Sequence, residues 1–154
     1  MDLRLCYLFT GLAEEQLNRI SSAAKEVSMV KDQRIFTGGN PAFALHILKD
    51  GAVELMMKTE NELEIPVAIL REPGDCFGTS ALMPAHSYSL SSRCVREGCF
   101  LIVERSVLKQ IISEDRDLGC ILMTNAASFF LDRLNQARQE LRIHFATLFK
   151  SFYL

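Results

Sequence analysis

Between Leu12 and Ala24 the positions Ala13, Leu17, Ile20 and Ala24 recur at helical offsets, which predicts an opening amphipathic helix over residues 12–24. The period then changes. Short apolar stretches follow at Val27–Val30, Arg34–Phe36, Ala44–Leu48, Ala52–Lys58, Ile65–Leu70, Ser89–Val95 and Phe100–Glu104. Their centres lie mostly about ten residues apart, the rhythm of strands in a β-sandwich or barrel. Turn residues separate them: Gly38-Gly39-Asn40-Pro41, Glu72-Pro73-Gly74-Asp75, and Asp50-Gly51, which reads as a two-residue hairpin. Pro66 puts the Ile65–Leu70 strand at a sheet edge or a bulge. After Ser106 helical spacing returns, with a short helix at Val107–Ile112 and a long one from Asp117 onward. The expected architecture is mainly β with flanking helices: a jelly-roll-like β-roll, or double-stranded β-helix, between an N-terminal helix and a long C-terminal one.

The long helix carries a second pattern. Positions seven apart read Cys120, Ala127, Leu134, Leu141 and Leu148, and the companion seam reads Met123, Phe130, Ala137 and His144. A helix of about thirty residues spans about 45 Å, longer than a domain of this size covers. The seam, with Met123, Ala127, Phe130, Leu134, Ala137 and Leu141 at its centre, is therefore expected to meet a second copy of the chain, with His144 and Ser151 weakening its far end. Phe145, Phe149, Phe152 and Tyr153 form an aromatic edge expected to pack within the molecule, or else on a partner.

With 154 residues, the chain has room for one domain, read as a roll with its helices over 1–115 and the dimerisation helix packed on it over 116–154. A net charge of −2 lacks the basic footprint of a chain that wraps nucleic acid. No apolar run approaches a membrane span and the start lacks a secretory pattern, so a cytoplasmic protein is expected. Five cysteines, an odd number without C-x-x-C spacing, read as reduced thiols. Cys94 and Cys99 flank Arg96-Glu97-Gly98, where a hairpin would let them face each other. The histidines His46, His86 and His144 are scattered, His46 reading as an ordinary strand residue, and Glu60, Glu62 and Glu64 read as a solvated hairpin rim. No nucleophile with its base, paired carboxylates, nucleotide loop or metal motif emerges, and Gly78-Thr79-Ser80 lacks the rest of a nucleophile elbow. Catalysis is not expected.

One set of segments, in order, is specific. Leu8-Phe9 and Gly11-Leu12 are followed by Ile35-Phe36, Gly39-Asn40-Pro41-Ala42, and Leu45-His46-Ile47-Leu48 leading through Asp50-Gly51 to Val53-Glu54-Leu55. Pro73-Gly74-Asp75-Cys76-Phe77-Gly78 and Ser80-Ala81-Leu82 complete it. Over nearly its whole length the chain resembles the cyclic-nucleotide-binding domain shared by catabolite-activator transcription factors, regulatory subunits of cyclic-nucleotide-dependent kinases and gated channels.

The resemblance implies a phosphate-binding cassette at Phe77–Ser89, drawing on Phe77, Gly78, Thr79, Ser80, Ala81, Leu82, Tyr88 and Ser89. Free N–H groups where such a turn begins favour an anion. Relatives that bind cyclic nucleotides place a glutamate after the Phe-Gly pair, for the ribose hydroxyl, and an arginine near the cassette's end, for the phosphate. Here those places hold Thr79, and Tyr88 followed by Ser89. Losing one partner of a buried charge pair costs about 2–5 kcal/mol, so binding of cyclic AMP or cyclic GMP is expected to be weak or absent. Arg133, which alignment of the long helix brings near the pocket mouth, and Arg93 are the candidate replacements, although the parity of Arg93 along its strand is opposite to that of Tyr88. Haem on Cys76 or His86 is set aside, and no metal is expected. The expected function is a non-enzymatic regulatory sensor with an altered cassette, responding to a cyclic nucleotide or another small anionic effector. The competing readings are a ligand-free dimeric module that binds a protein partner, and a fragment of a DNA-binding regulator. Those transcription factors carry a helix-turn-helix after the long helix, and none follows before Leu154.

Overall fold

Two long strands organise the molecule, and everything else hangs on them. The structure, a computed structural model, describes residues 2–84 and 87–152. Strands β1 (Lys25–Met29), β2 (Arg34–Phe36), β3 (Ala44–Lys58), β4 (Glu64–Leu70), β5 (Cys76–Phe77) and β6 (Ser91–Glu104) form one antiparallel sheet in the order β1-β6-β3-β4, with β2 on β6 and β5 on β3. Helix α1 (Glu14–Ala23) precedes the roll, and α2 (Arg105–Glu114) and α3 (Arg116–Phe152) follow it.

The strand pattern departs from expectation at Asp50-Gly51, which is no hairpin. The segments on either side pair with β6 rather than with each other, so β3 runs unbroken from one half of the roll to the other. The register is irregular between Leu48 and Val53, where five steps along β3 face six along β6. Gly51 has φ +99°, and a Cβ there would lie 2.5 Å from Met29 Cε, while one on Gly98 would meet the Asp50 carbonyl oxygen at 2.2 Å. Two glycines thus let β3 and β6 bend together. For the same reason Cys94 and Cys99 do not face across a hairpin: both belong to β6, opposite Val53 and Asp50, and both thiols are free. Pro66 sits at a register break on edge strand β4, where its missing N–H costs no ladder bond. Glu64 is not a solvated rim residue, since it holds the Arg34 guanidinium through two bonds of 2.6 Å, and Glu62 pairs with Lys58.

The core has two parts. Inside the roll, Phe36, Leu48, Val53, Phe77, Tyr88 and Phe100 pack together. On the helix side, Leu45, Ile47 and Val103 meet Leu8, Phe9, Ile20, Leu108, Ile111, Leu118 and Leu122. β3 serves both because successive side chains point to opposite faces. Helix α3 is anchored at its start, where Asp115 Oδ1 accepts from the Leu118 N–H at 2.9 Å, a bond that lowers the Asp115 pKa. Further along α3, Asn125 Nδ2 donates to the carbonyl oxygens of Leu8 and Thr10 at 2.9 and 2.8 Å. From Leu131 to Lys150 every residue is exposed. Only the first half of α3 therefore packs on the roll. The aromatic edge does not fold back, since Phe145 and Phe149 are exposed, while the side chains of Ser151, Phe152 and Tyr153 lie outside the description.

Candidate functional site

A short insertion between β5 and β6 shapes the site. Phe77 is held in register against His46 on β3, and the chain then turns sharply through Gly78, at φ +68°. A Cβ here would stand 2.7 Å from His46 Nδ1 and 3.1 Å from both the Ala44 carbonyl oxygen and the Tyr88 ring. Only glycine fits without displacing the histidine. A 3-10 turn, Thr79–Leu82, follows, and the segment returns to the roll at Ser87, which bridges to Pro41. His86 falls outside the described residues.

Against this insertion lies a cavity of about 250 Å³. Phe36, Leu55, Phe77 and Leu90 form its roll side; Gly78, Thr79, Ser80, Tyr88 and Ser89 form one wall; Phe129, Phe130 and Arg133 of α3 close another. The structure thus brings together the cassette residues and Arg133 that the sequence singles out, but Ala81 is buried in the roll core and Leu82 packs towards the helix-side core. Phe36, Leu55, Leu90 and Phe129 join the lining without being candidates from sequence, because an apolar residue on a strand or a helix carries no local mark of facing a cavity rather than a core.

Tyr88 differs most from its expected part. Its ring stacks on Phe36 at 3.9 Å, its hydroxyl donates to the Ala44 carbonyl oxygen at 3.1 Å and accepts from the Ala44 N–H at 3.2 Å, and only 2% of it is exposed. Burial raises its pKa. Its hydroxyl fastens the cassette to β3, leaving a ring surface for the cavity. Ser89 is the exposed neighbour, and its N–H donates to Ser80 Oγ at 3.3 Å. The N–H groups of Ala81 and Met83 are bonded to the Gly78 and Ser80 carbonyl oxygens. Three of the N–H donors in this segment, those of Ala81, Met83 and Ser89, are therefore engaged within it.

Charge at the site comes from α3. Arg133 is the one charged residue among the described cavity-lining residues. Its guanidinium lies over the Phe129 ring at 5.1 Å, and Nη1 donates to Gln136 Oε1 at 3.1 Å. Arg93 is elsewhere, paired with the buried Glu54 at 2.7 Å. Beneath the cassette, His46 is 1% exposed and ringed by Phe36, Phe77 and Phe100, and its Nδ1 has no partner. Burial holds its pKa down at about 4, so the imidazole is neutral at ordinary pH. Cys76, which also lines the cavity, is a free thiol hydrogen-bonded to the free Cys6 thiol, and that hydrogen bond and burial push its pKa up. Among the described residues no group of three or more His, Cys, Asp or Glu could hold a metal ion, and no helix is long and apolar enough to cross a membrane.

Comparison with known proteins agrees with this geometry. The Thermus thermophilus catabolite activator protein superposes with a TM-score of 0.76 at 28% identity over 89% of this chain, which spans 62% of that protein, under two thirds of its length. The N-terminal domain of a transcriptional regulator from Streptomyces coelicolor A3(2) gives 0.74 at 21% identity, covering 89% of this chain and 96% of that one. The regulatory domain of Toxoplasma gondii PKA, crystallised with cAMP, gives 0.66 at 24% identity over 71% of this chain and 41% of that one. The last two likenesses bear on the fold alone. No curated protein matches the chain. Residues 26–115 match the family pattern of the cyclic nucleotide-binding domain, and with the roll and its cassette in place the chain belongs to that family.

Proposed function

We propose that the chain is a non-enzymatic regulatory sensor module of the cyclic-nucleotide-binding type whose altered cassette binds cyclic AMP and cyclic GMP weakly or not at all. The observation that carries this reading is the cavity's inventory of charge: among the described residues its walls hold no carboxylate, and Arg133 is their one cation. A nucleotide there would face Thr79 and Ser89 where a ribose hydroxyl and a phosphate ask for charged partners. We place the module in the cytoplasm as a homodimer joined through α3. Support for the dimer comes from Leu134 and Leu141, exposed at 46% and 55%, with Met123 and Ala127 on the same seam. Occupancy of the cavity would shift Phe129, Phe130 and Arg133, and hence the root of the dimer helix.

Thermal-shift titration tests the reading, because a ligand at 100 times its Kd stabilises a fold by about 2.7 kcal/mol. The wild type is expected to give no saturable shift with micromolar cyclic AMP or cyclic GMP, and a Thr79→Glu, Ser89→Arg double variant is expected to gain one. A tight shift in the wild type would sink the altered-cassette reading. A second reading, a ligand-free module docking a partner protein, draws on the exposed Ile143, Phe145 and Phe149 of distal α3.

A further inference from the structure

We infer that the cavity takes a small apolar carboxylate, bound with its anionic group towards Arg133 on α3 and its apolar body against the roll. The inference rests on the reading of this cavity as a sensor site and names the ligand's chemistry. It follows from where the polar groups are. The cassette side offers only uncharged groups: the Tyr88 hydroxyl is committed to Ala44, and Thr79, Ser80 and Ser89 bring neutral hydroxyls. A phosphate pressed to that wall would lose its water without meeting a cation to offset its charge. The roll side is Phe36, Leu55 and Leu90, which favours hydrocarbon.

The helix side is the opposite. Arg133 has no carboxylate partner among the described residues, and one hydrogen bond to Gln136 Oε1 at 3.1 Å leaves most of its five N–H donors available. A cation–π contact to the Phe129 ring, 5.1 Å from the guanidinium carbon, places the guanidinium at the mouth of the cavity. A planar fork of this kind matches a carboxylate through two parallel hydrogen bonds. The ligand would then be held by both the roll and the helix, with its charge on the helix.

The test uses two probes of one shape, 2-naphthoate and the neutral 2-naphthalenemethanol, titrated by calorimetry into the full chain, with cyclic AMP as a third. The wild type should bind the carboxylate about fivefold or more tightly than the alcohol, the size of one ion pair near solvent. Arg133→Gln should bring that ratio to about one, Arg133→Lys should keep part of it, and added salt should shrink it. Arg133 is exposed, so neither variant threatens the fold. Equal affinity for carboxylate and alcohol, or a preference that survives Arg133→Gln, would overturn the inference while leaving an occupied sensor cavity. Binding of cyclic AMP without naphthoate would overturn it and restore a nucleotide site, and a folded chain that binds no probe would overturn both it and the sensor reading.

Discussion

Removing a single oxygen atom from Tyr88 should loosen the cassette without disturbing its packing. Tyr88→Phe keeps the 3.9 Å stack on Phe36, but it takes from Ala44 both the acceptor of its N–H and a donor to its carbonyl oxygen, in a place that is 2% exposed. One net hydrogen bond contributes about 1 kcal/mol, and burying a polar group left unpaired costs about 1–3 kcal/mol, so a loss of about 2 kcal/mol is expected. For a domain of this size each kcal/mol is about 2–4 °C in Tm, so the midpoint should fall by about 4–8 °C. Urea unfolding should show the same loss with an unchanged slope. Two neighbouring substitutions calibrate it. Tyr88→Arg would bury an unpaired guanidinium among aromatic rings and should leave little folded protein, whereas Ser89→Arg is exposed and should stay within about 0.5 kcal/mol of wild type. If Tyr88→Phe melts like wild type, the hydroxyl does not fasten the cassette. If Ser89→Arg is as damaging as Tyr88→Arg, the inward and outward places have been assigned to the wrong residues.

Other consequences are equally direct. Gly78→Ala should cost about 1–2 kcal/mol from its positive φ alone, and more because the new methyl meets His46 Nδ1; a urea midpoint equal to wild type would count against this turn geometry. Because burial depresses the His46 pKa to about 4, the unfolded chain takes up a proton near 6.5 that the folded chain refuses. Stability should be full above about pH 6.5 and fall towards pH 4 by about 3 kcal/mol in all, and a His46→Leu variant should flatten that part of the urea-midpoint profile. Leu134→Glu and Leu141→Glu should shift the sedimentation coefficient from dimer to monomer at unchanged far-UV circular dichroism; dimers that persist in both variants would exclude this seam.

Much of the fold could be read from local pattern, and the exceptions share a cause. The turns at Gly38–Pro41 and Glu72–Asp75 are set by their own residues, down to the Asp75 carboxylate accepting from the N–H groups of Arg71 and Glu72 at 3.0 Å. Asp50-Gly51 has the same local signature, but the choice between hairpin and bulge depends on β6, some forty residues away, which offers both flanking segments a partner. The cassette is comparable. Its position follows from the Phe77-Gly78 pair and the order of segments around it, whereas the inward aim of Tyr88 and the outward aim of Ser89 depend on how the segment re-enters the sheet. Arg93 pairs with Glu54 away from the cavity, as expected, but Tyr88 precedes β6 and does not share its alternation, so parity is not the reason. His46 looks ordinary in sequence because nothing local reveals that Gly78 will sit on its unpartnered nitrogen.

The free half of α3 also has a mechanical meaning. Phe130 is its last partly covered residue, and from Leu131 to Lys150 the helix stands clear as a stiff rod. That rod is about 30 Å long, so a rotation of about 10° at its root carries the tip through about 5 Å, roughly one helical turn. The cavity wall at Phe129 and Arg133 lies at the fulcrum. A change there too small to alter the packing of the roll would be enlarged along the rod to the scale at which one interface exchanges its contacts for another.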